Sequence, residues 1–559
     1  GQIAGDYNDI ANLYRDSLKQ FDKAIKHYNN GLQFAQAIKD SIRLSRINDN
    51  LGLTYTNTGN YKEAEKCFIK SMSYLRLPNT HHFSNPSASA FNLVGNKELI
   101  LDILMNKSAL LLAQYKKNNQ QPYLSACVQT ALLTDSVITD TRHEQFGEQT
   151  KLYWRNRTRS FYTDAMEATF LSQNISYAFY FMEKSRAVLL NDRLNELGAR
   201  AQLPPDALAQ NQQLQLEYLK QRFLNQLNPQ SAAYADQVTK VIEAKEKLEL
   251  FIKSLEKENP LYYQYKYADV VPSVAEMQKY LAAGKQSFVQ YFMNDTVAYV
   301  LTLTSSSGSF IKLGNKKFNQ QTLVNFLQSC TNKKLLQNNY NAFAKESYRL
   351  YQTIFQQLQI PQGRTIICPD NVLIPFEALC TDAAGKNFLI NQYAFSYVYS
   401  ARYLLMSFSS VKPKANFAGF APVHFQPSLG VVDLLQSEAS LKKSKSYYRS
   451  ATLFSAENAS KNNFMSNLAN YTVVAVLSHA KADNSGAEPV LYMQDSLIHL
   501  SELNMLKNVS ANLVMLSACQ TNVGQNATGE GVYSLARGFA AAGIPALSAT
   551  LWEADEQTV

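Results

Sequence analysis

The sequence predicts a helical solenoid of paired helices followed by an α/β domain with a mostly parallel sheet. Three observations carry that reading. Near the N-terminus, Ala24, Tyr28 and Leu32 return 40 residues later as Ala64, Phe68 and Met72. Small residues let two helices cross closely, and aromatic ones fill the gap to the next pair. From 203 to 258 the chain is rich in Gln, Leu and Lys and contains no Gly, which favours a long solvated helix or helix pair. Beyond residue 360, short apolar runs alternate with helical patterns, the signature of strands covered on both faces.

The elements follow in that order. The stretches 10–32 and 50–72 each read as a helical hairpin, with weaker echoes at 104–133 and 174–194. At 287–313 the period changes to two, with "ND" and "SSSG" as turn signals, so strands are expected there. Helical spacing returns to about residue 358. "RTIICPDNVLIPFEAL" (364–379) then reads as a buried strand and turn. Four further apolar runs, "ANFAGFAP", "YTVVAVLSHA", "NLVMLSAC" and "IPALSATLW", are strand candidates, and "GVYSLARGFAAAG" is a helix between two of them. The expected domains are 1–200 for the repeats, 201–275 for a helical connector, 276–360 for a hairpin with helices, and 361–559 for the α/β core.

Composition narrows the function classes. At 559 residues the chain exceeds a single core, so two to four domains are expected. Its net charge of +9, with no basic block beyond "KKSK" at 442–445, does not indicate nucleic acid as a partner. Six cysteines without a CxxC pair argue against both a disulfide framework and zinc. A reducing, cytoplasmic compartment fits this usage best. No run of 18 apolar residues exists to span a bilayer. The opening "GQIAGDYND" has neither an initiator Met nor a signal sequence, and the native N-terminus is expected to lie upstream.

Two apolar strands end in reactive side chains. "TVVAVL" runs into Ser478-His479-Ala480, and "LVMLSA" runs into Cys519, 40 residues further on. That interval holds one strand–helix excursion, so adjacent parallel strands would bring the two side chains together at their carboxyl ends, where α/β sheets keep functional groups. A thiol is a strong nucleophile only as thiolate, and an imidazole beside it supplies the base and then the acid. The Gly-rich loop after Cys519 offers backbone N–H groups for an oxyanion. The bland alternatives are a core cysteine and a satisfied polar histidine. Of seven histidines, His27 and His143 fall in helical segments, His81 and His82 in a loop, His424 after a Pro and His499 in an alternating strand. Only His479 has the strand-end position. The tetrad "LSAC" also occurs at 124–127 inside a helical pattern, so those four letters alone prove nothing.

Read together, "VVAVLSHAKADNSGAEPVLYMQDSLIHLSELNML" and "NLVMLSACQTNVGQNATGEGVYSLARGFAAAGIPALSATLWEADEQT" resemble the CHAT domain, a caspase-like domain that occurs with tetratricopeptide (TPR) repeats. The 50–72 unit, with Leu51, Gly52, Tyr55, Gly59, Tyr61, Ala64 and Phe68, resembles such a repeat. "ICPDNVLIPFEAL" is similar to the family's opening strand, and "FMEKSRAVLL" to an Arg-containing helix that often precedes the domain. The resemblance implies a caspase/separase-type cysteine peptidase with His479 as general base and acid and Cys519 as nucleophile. The backbone N–H groups of Ala480 and Cys519 would form the oxyanion hole. It implies no metal and no cofactor, a protein substrate, and a protein regulator or partner on the TPR surface. Two departures stand out. The family usually has Gly where this chain has Ala480, which favours a degenerate, non-catalytic scaffold as the rival reading. The chain also stops at Val559, where such domains usually continue, so a C-terminally incomplete core is expected.

The acceptance pocket is expected to draw on Asp483, Glu488 and Asp555, favouring a basic residue before the scissile bond. The alternative is an apolar pocket built from Tyr492, Met493 and Trp552. The loops 481–489 and 522–531, rich in small residues, are expected to gate the site.

Overall fold

The structure, a computed structural model, describes the chain apart from residues 78–80, 82, 92–93, 144–147, 225–231, 295–296, 314–319, 371, 407–412, 482–487, 504–505, 507–508, 518–524, 528–530 and 551–559, and apart from the side chains at 148–149, 223–224, 232, 320, 525–527 and 531–533. It falls into two compact units. The first comprises Gly1–Ser185 with Tyr299–Leu303 and Ser307–Lys312. The second comprises Arg186–Ala298, Thr304–Ser306 and Leu313–Val559.

The first unit is built from helical hairpins. Helices α1 (Gln2–Asp16), α2 (Phe21–Ala37), α3 (Ser41–Asn57) and α4 (Tyr61–Tyr74) form the two expected repeats. Ala24, Ala64 and Tyr28 are fully buried, and Phe68 packs against Gly52 so tightly that a Cβ there would stand 2.7 Å from its ring. The close crossing that the 40-residue spacing implies is therefore real. Asp40 caps α3 by accepting from the Arg43 N–H at 3.0 Å, and Gly59 (φ 75°) supplies the left-handed turn between α3 and α4. Helices Lys97–Asn118, Gln121–His143, Glu148–Leu171 and Ile175–Lys184 continue the stack. One buried ion pair lies within it: Lys184 is 3.3 Å from Asp135, which also accepts from the Tyr162 and Tyr180 hydroxyls at 2.7 Å each.

The second unit begins where the reading expects one continuous helical pattern at 174–194. The chain instead breaks at 185–187, with Ala187 in the left-handed region (φ 48°), before helix Val188–Arg200. Buried Arg186 explains the break. Its Nη2 donates to the Tyr291 carbonyl at 2.6 Å and its Nη1 to the Pro369 carbonyl at 3.1 Å, so the buried guanidinium ties one strand to the residue that follows another. Those strands are β1 (Gln286–Met293) and, after β2 (Ala298–Leu303) and β3 (Gly308–Leu313), β4 (Gly363–Cys368). β1, β4 and β5 (Tyr393–Tyr397) pair in parallel. β1 is buried on both faces rather than one, so its period-two pattern does not mark a solvated side. The Gly-free stretch forms a helix pair, Pro205–Leu224 and Ala232–Glu258, joined by the Gln237 amide donating to the Gln221 carbonyl at 2.8 Å.

The site lies on a second sheet. Its strands are β6 (Ala415–Ala421), β7 (Ala451–Ser455), β8 (Tyr471–Leu477), then, after the short strands β9 (Ala480–Lys481), β10 (Val490–Tyr492) and β11 (Leu497–His499), β12 (Leu513–Ser517). Two further strands, β13 (Gln525–Ala527) and β14 (Gly531–Tyr533), pair with each other, and β15 (Ala546–Ala549) completes the sheet. The spatial order is β7-β6-β8-β12-β15, every neighbouring pair parallel. Phe420, Val474, Val476, Val514 and Leu516 pack one face against Phe464, Leu500, Leu503, Leu535 and Phe539. Phe417, Ala421 and Ala475 pack the other against Leu441. β12 departs from the expected buried strand: Val514 and Leu516 are buried, but Met515 is 36% exposed. No helix among the described residues is long and apolar enough to cross a membrane.

Candidate active site

Because the chain runs from β6 outward to β7 and returns to β8 on β6's other side, the strand order reverses between β6 and β8. In open parallel sheets the crevice beyond the carboxyl ends at such a switch point is where ligands bind. His479 stands there, two residues past β8. Its Nε2 lies 2.7 Å from the Val432 carbonyl, on the long connection that leaves β6. A carbonyl oxygen can only accept, so Nε2 carries the proton, and in the neutral ring Nδ1 keeps the lone pair. The ring leans on Phe425 (centroids 5.2 Å apart) and meets Tyr492 edge-on at 6.3 Å.

The backbone around His479 is fixed by β10. The Tyr492 N–H donates to the His479 carbonyl at 2.9 Å, and the buried Ser478 hydroxyl donates to the Tyr492 carbonyl at 2.5 Å. Antiparallel partners alternate between hydrogen-bonded and non-hydrogen-bonded pairs. The next pair, Ala480 with Leu491, is therefore non-hydrogen-bonded, and the Ala480 N–H points away from β10. β9 is the edge of its three-stranded sheet, so that N–H faces outward. Ala480 sits in a strand and is not among the positive-φ residues, so its methyl meets no backbone strain.

β12 lies directly beside β8 in parallel, with Ser517 opposite Leu477, and the Ser478 N–H donates to the Ser517 carbonyl at 3.3 Å. Cys519 follows Ser517 by two residues in sequence, as His479 follows Leu477; Cys519 itself lies outside the described residues. Asp483, Asp555 and Trp552 also lie outside them, as do most of the loops 481–489 and 522–531. Glu488 is described. Its carboxylate accepts from the Ser501 backbone N–H and stands 3.7 Å from the Arg222 guanidinium, so it already has partners. Met493 is fully buried in the sheet core, while Tyr492 meets His479.

The other cysteines contrast with a nucleophile. Burial pushes the Cys127 thiol up to about 12 and the Cys67 thiol up to about 11. Cys127, in the second "LSAC", sits inside helix Gln121–His143 with its thiol toward the Ser108 carbonyl at 3.4 Å. Sequence reasoning did not find the Val432 carbonyl or Phe425. A backbone acceptor leaves no residue-type signal. The only hint was the apolar strand ending "FAPVHF" ahead of a long connection.

The C-terminal region is an α/β domain with an all-parallel five-stranded sheet and a histidine at its switch point. Residues 344–559 match the family described as the CHAT domain, and residues 3–76 match the tetratricopeptide repeat. The chain thus carries a CHAT domain behind N-terminal TPR repeats. No curated protein matches it.

Proposed function

We propose that this chain is a caspase/separase-type cysteine peptidase in which His479 and Cys519 act as a dyad. The observation that carries the reading is the register of β8 and β12. Adjacent parallel strands with Leu477 opposite Ser517 set residues 479 and 519 at equivalent steps past the paired positions. His479 Nδ1 would take the Cys519 proton as the thiolate attacks the scissile carbonyl. The same proton would go to the leaving amine as the thioester forms, and water would then release the acyl group. The outward Ala480 N–H, with that of Cys519, would hold the oxyanion. The extended conformation of Ala480 supports this role and weakens the scaffold rival, which rests on the missing Gly. The TPR region would recruit a protein substrate or regulator, since stacked helix pairs present an extended surface.

An acidic pocket built from Asp483, Glu488 and Asp555, selecting a basic residue before the scissile bond, remains the proposed specificity, with Glu488 the weakest member because Arg222 and Ser501 already engage it. A fluorogenic peptide library tests both claims. Cleavage after Lys or Arg is expected, lost in Cys519→Ala and in His479→Ala, with the double variant no worse than either single one. Turnover retained in Cys519→Ala sinks the dyad. Preference for Asp or an apolar residue rejects the pocket.

A further inference from the structure

The connection that presents the Val432 carbonyl is closed on itself. Val423, a β-branched residue, has φ 62° and centres a strained turn in which the His424 N–H donates to the Pro422 carbonyl at 2.6 Å. Nothing local favours that conformation, so tertiary bonds must hold it. The Leu434 N–H donates to the Val423 carbonyl at 2.8 Å. Asp433, the residue after Val432, accepts from His424 Nδ1 at 2.7 Å and from the Phe425 N–H at 3.3 Å. Phe425 in turn lies against the His479 ring. One carboxylate therefore ties together both flanks of the histidine: the residue whose ring supports it and the residue beside the carbonyl that orients it. The His424 hydrogen bond also holds the Asp433 carboxyl below the ordinary carboxylate range.

We propose that His424 and Asp433 form a clasp that fixes the position of the Val432 carbonyl and so sets the tautomer and orientation of His479. Both are positioning residues, and their effect on turnover rests on His479 being the general base. The effect on the ring does not. With the clasp open, the carbonyl moves from Nε2, the Nε2–H tautomer loses its partner, and the two tautomers mix.

The test uses the full chain with ring-¹⁵N histidine, the His479 signals being assigned from His479→Gln. The unsubstituted protein is expected to show a protonated Nε2 and a bare Nδ1 at residue 479. Asp433→Ala and His424→Ala should each give mixed tautomers with an unchanged melting temperature, since the pair is exposed. Asp433→Asn should keep more of the single tautomer than Asp433→Ala, because its one amide oxygen can still accept from His424 Nδ1, while its NH2 replaces the oxygen that accepts from the Phe425 N–H. In a cleaving enzyme the alanine variants should lose roughly fivefold in kcat with little change in KM. An unaltered His479 spectrum in both alanine variants overturns the clasp, as does a protonated Nδ1 in the unsubstituted protein. A shifted tautomer in a chain that cleaves nothing upholds the clasp and rejects the peptidase instead.

Discussion

The helical unit and the sheet that carries His479 treat polar chemistry differently. The helical unit draws it inward: Asp135, Lys184 and Asp49 are buried among partners, and Cys127 is sealed in a helix. The sheet domain keeps its interior apolar around Val474, Val476, Val514 and Leu516, and carries His479 past the end of a strand. Buried polar groups in the first unit link helices to one another, as Asp135 links three of them through Tyr162, Tyr180 and its own helix. In the second, the strand end leaves His479 half-buried, with the Phe425 and Tyr492 rings and the Val432 carbonyl against it. The same tetrad, "LSAC", packs inside a helix at 124–127 and at 516–519 begins in the last two residues of β12, where its cysteine is the proposed nucleophile.

The largest expected effect breaks or keeps that contrast. Cys519→Ala should lower peptide cleavage by about 10⁴-fold or more. Cys127→Ala should leave cleavage intact and lower only the melting temperature. Equal losses of cleavage in two folded variants would erase the distinction.

Next come the two faces of β12. Leu516→Ala, at a buried position, should destabilise by about 2–5 kcal/mol in chemical denaturation. Met515→Thr, one residue away but exposed, should stay within about 0.5 kcal/mol. A large loss at Met515 would mean that this face is covered in solution.

Close approach can be tested in each unit by adding one methyl. Gly52→Ala drives a Cβ into the Phe68 ring, and Gly538→Ala drives one into Leu500. Each should cost about 1–3 kcal/mol. Hydrogen exchange should show lost protection first in α3 and α4 for the former, and in β11 to β12 and helix Leu535–Ala541 for the latter. Unchanged exchange in either variant would show that its helix can shift to make room.

The smallest effect is a pH slope. Burial, then the like charge of Asp102, pushes Asp49 up to about 8, although Asn106 donates to both its oxygens at 3.0 and 3.1 Å. A folded pKa above the unfolded value of about 3.9 gives stability that is whole below the unfolded pKa and is lost as pH rises through the folded one. The helical unit should therefore weaken between about pH 4 and pH 8. Asp49→Asn should flatten that slope and raise the melting temperature at pH 8 by several degrees. A slope that persists in Asp49→Asn would place the titration elsewhere.

Much of this molecule was decided by sequence alone, because its signals are local. Ala24 and Ala64 at fixed spacing predict helix crossings, the Gly-free run predicts long helices, and apolar runs such as "TVVAVL" predict strands covered on both faces. His479 was legible as a strand-end residue for the same reason, since strand ends can be read from where apolar character stops, whereas Cys519 lies outside the described residues. Tertiary structure decided what depends on neighbours distant in the chain. It set β8 beside β12 with Leu477 opposite Ser517, and it left Met515 exposed within a run that reads as buried. It broke a helical pattern at Ala187 so that Arg186 could tie β1 to the residue after β4. It also chose the Val432 carbonyl as the partner of His479, 47 residues away. Every residue has a carbonyl, so no residue type could announce that choice. Only the return of the β6 connection across the switch point makes it.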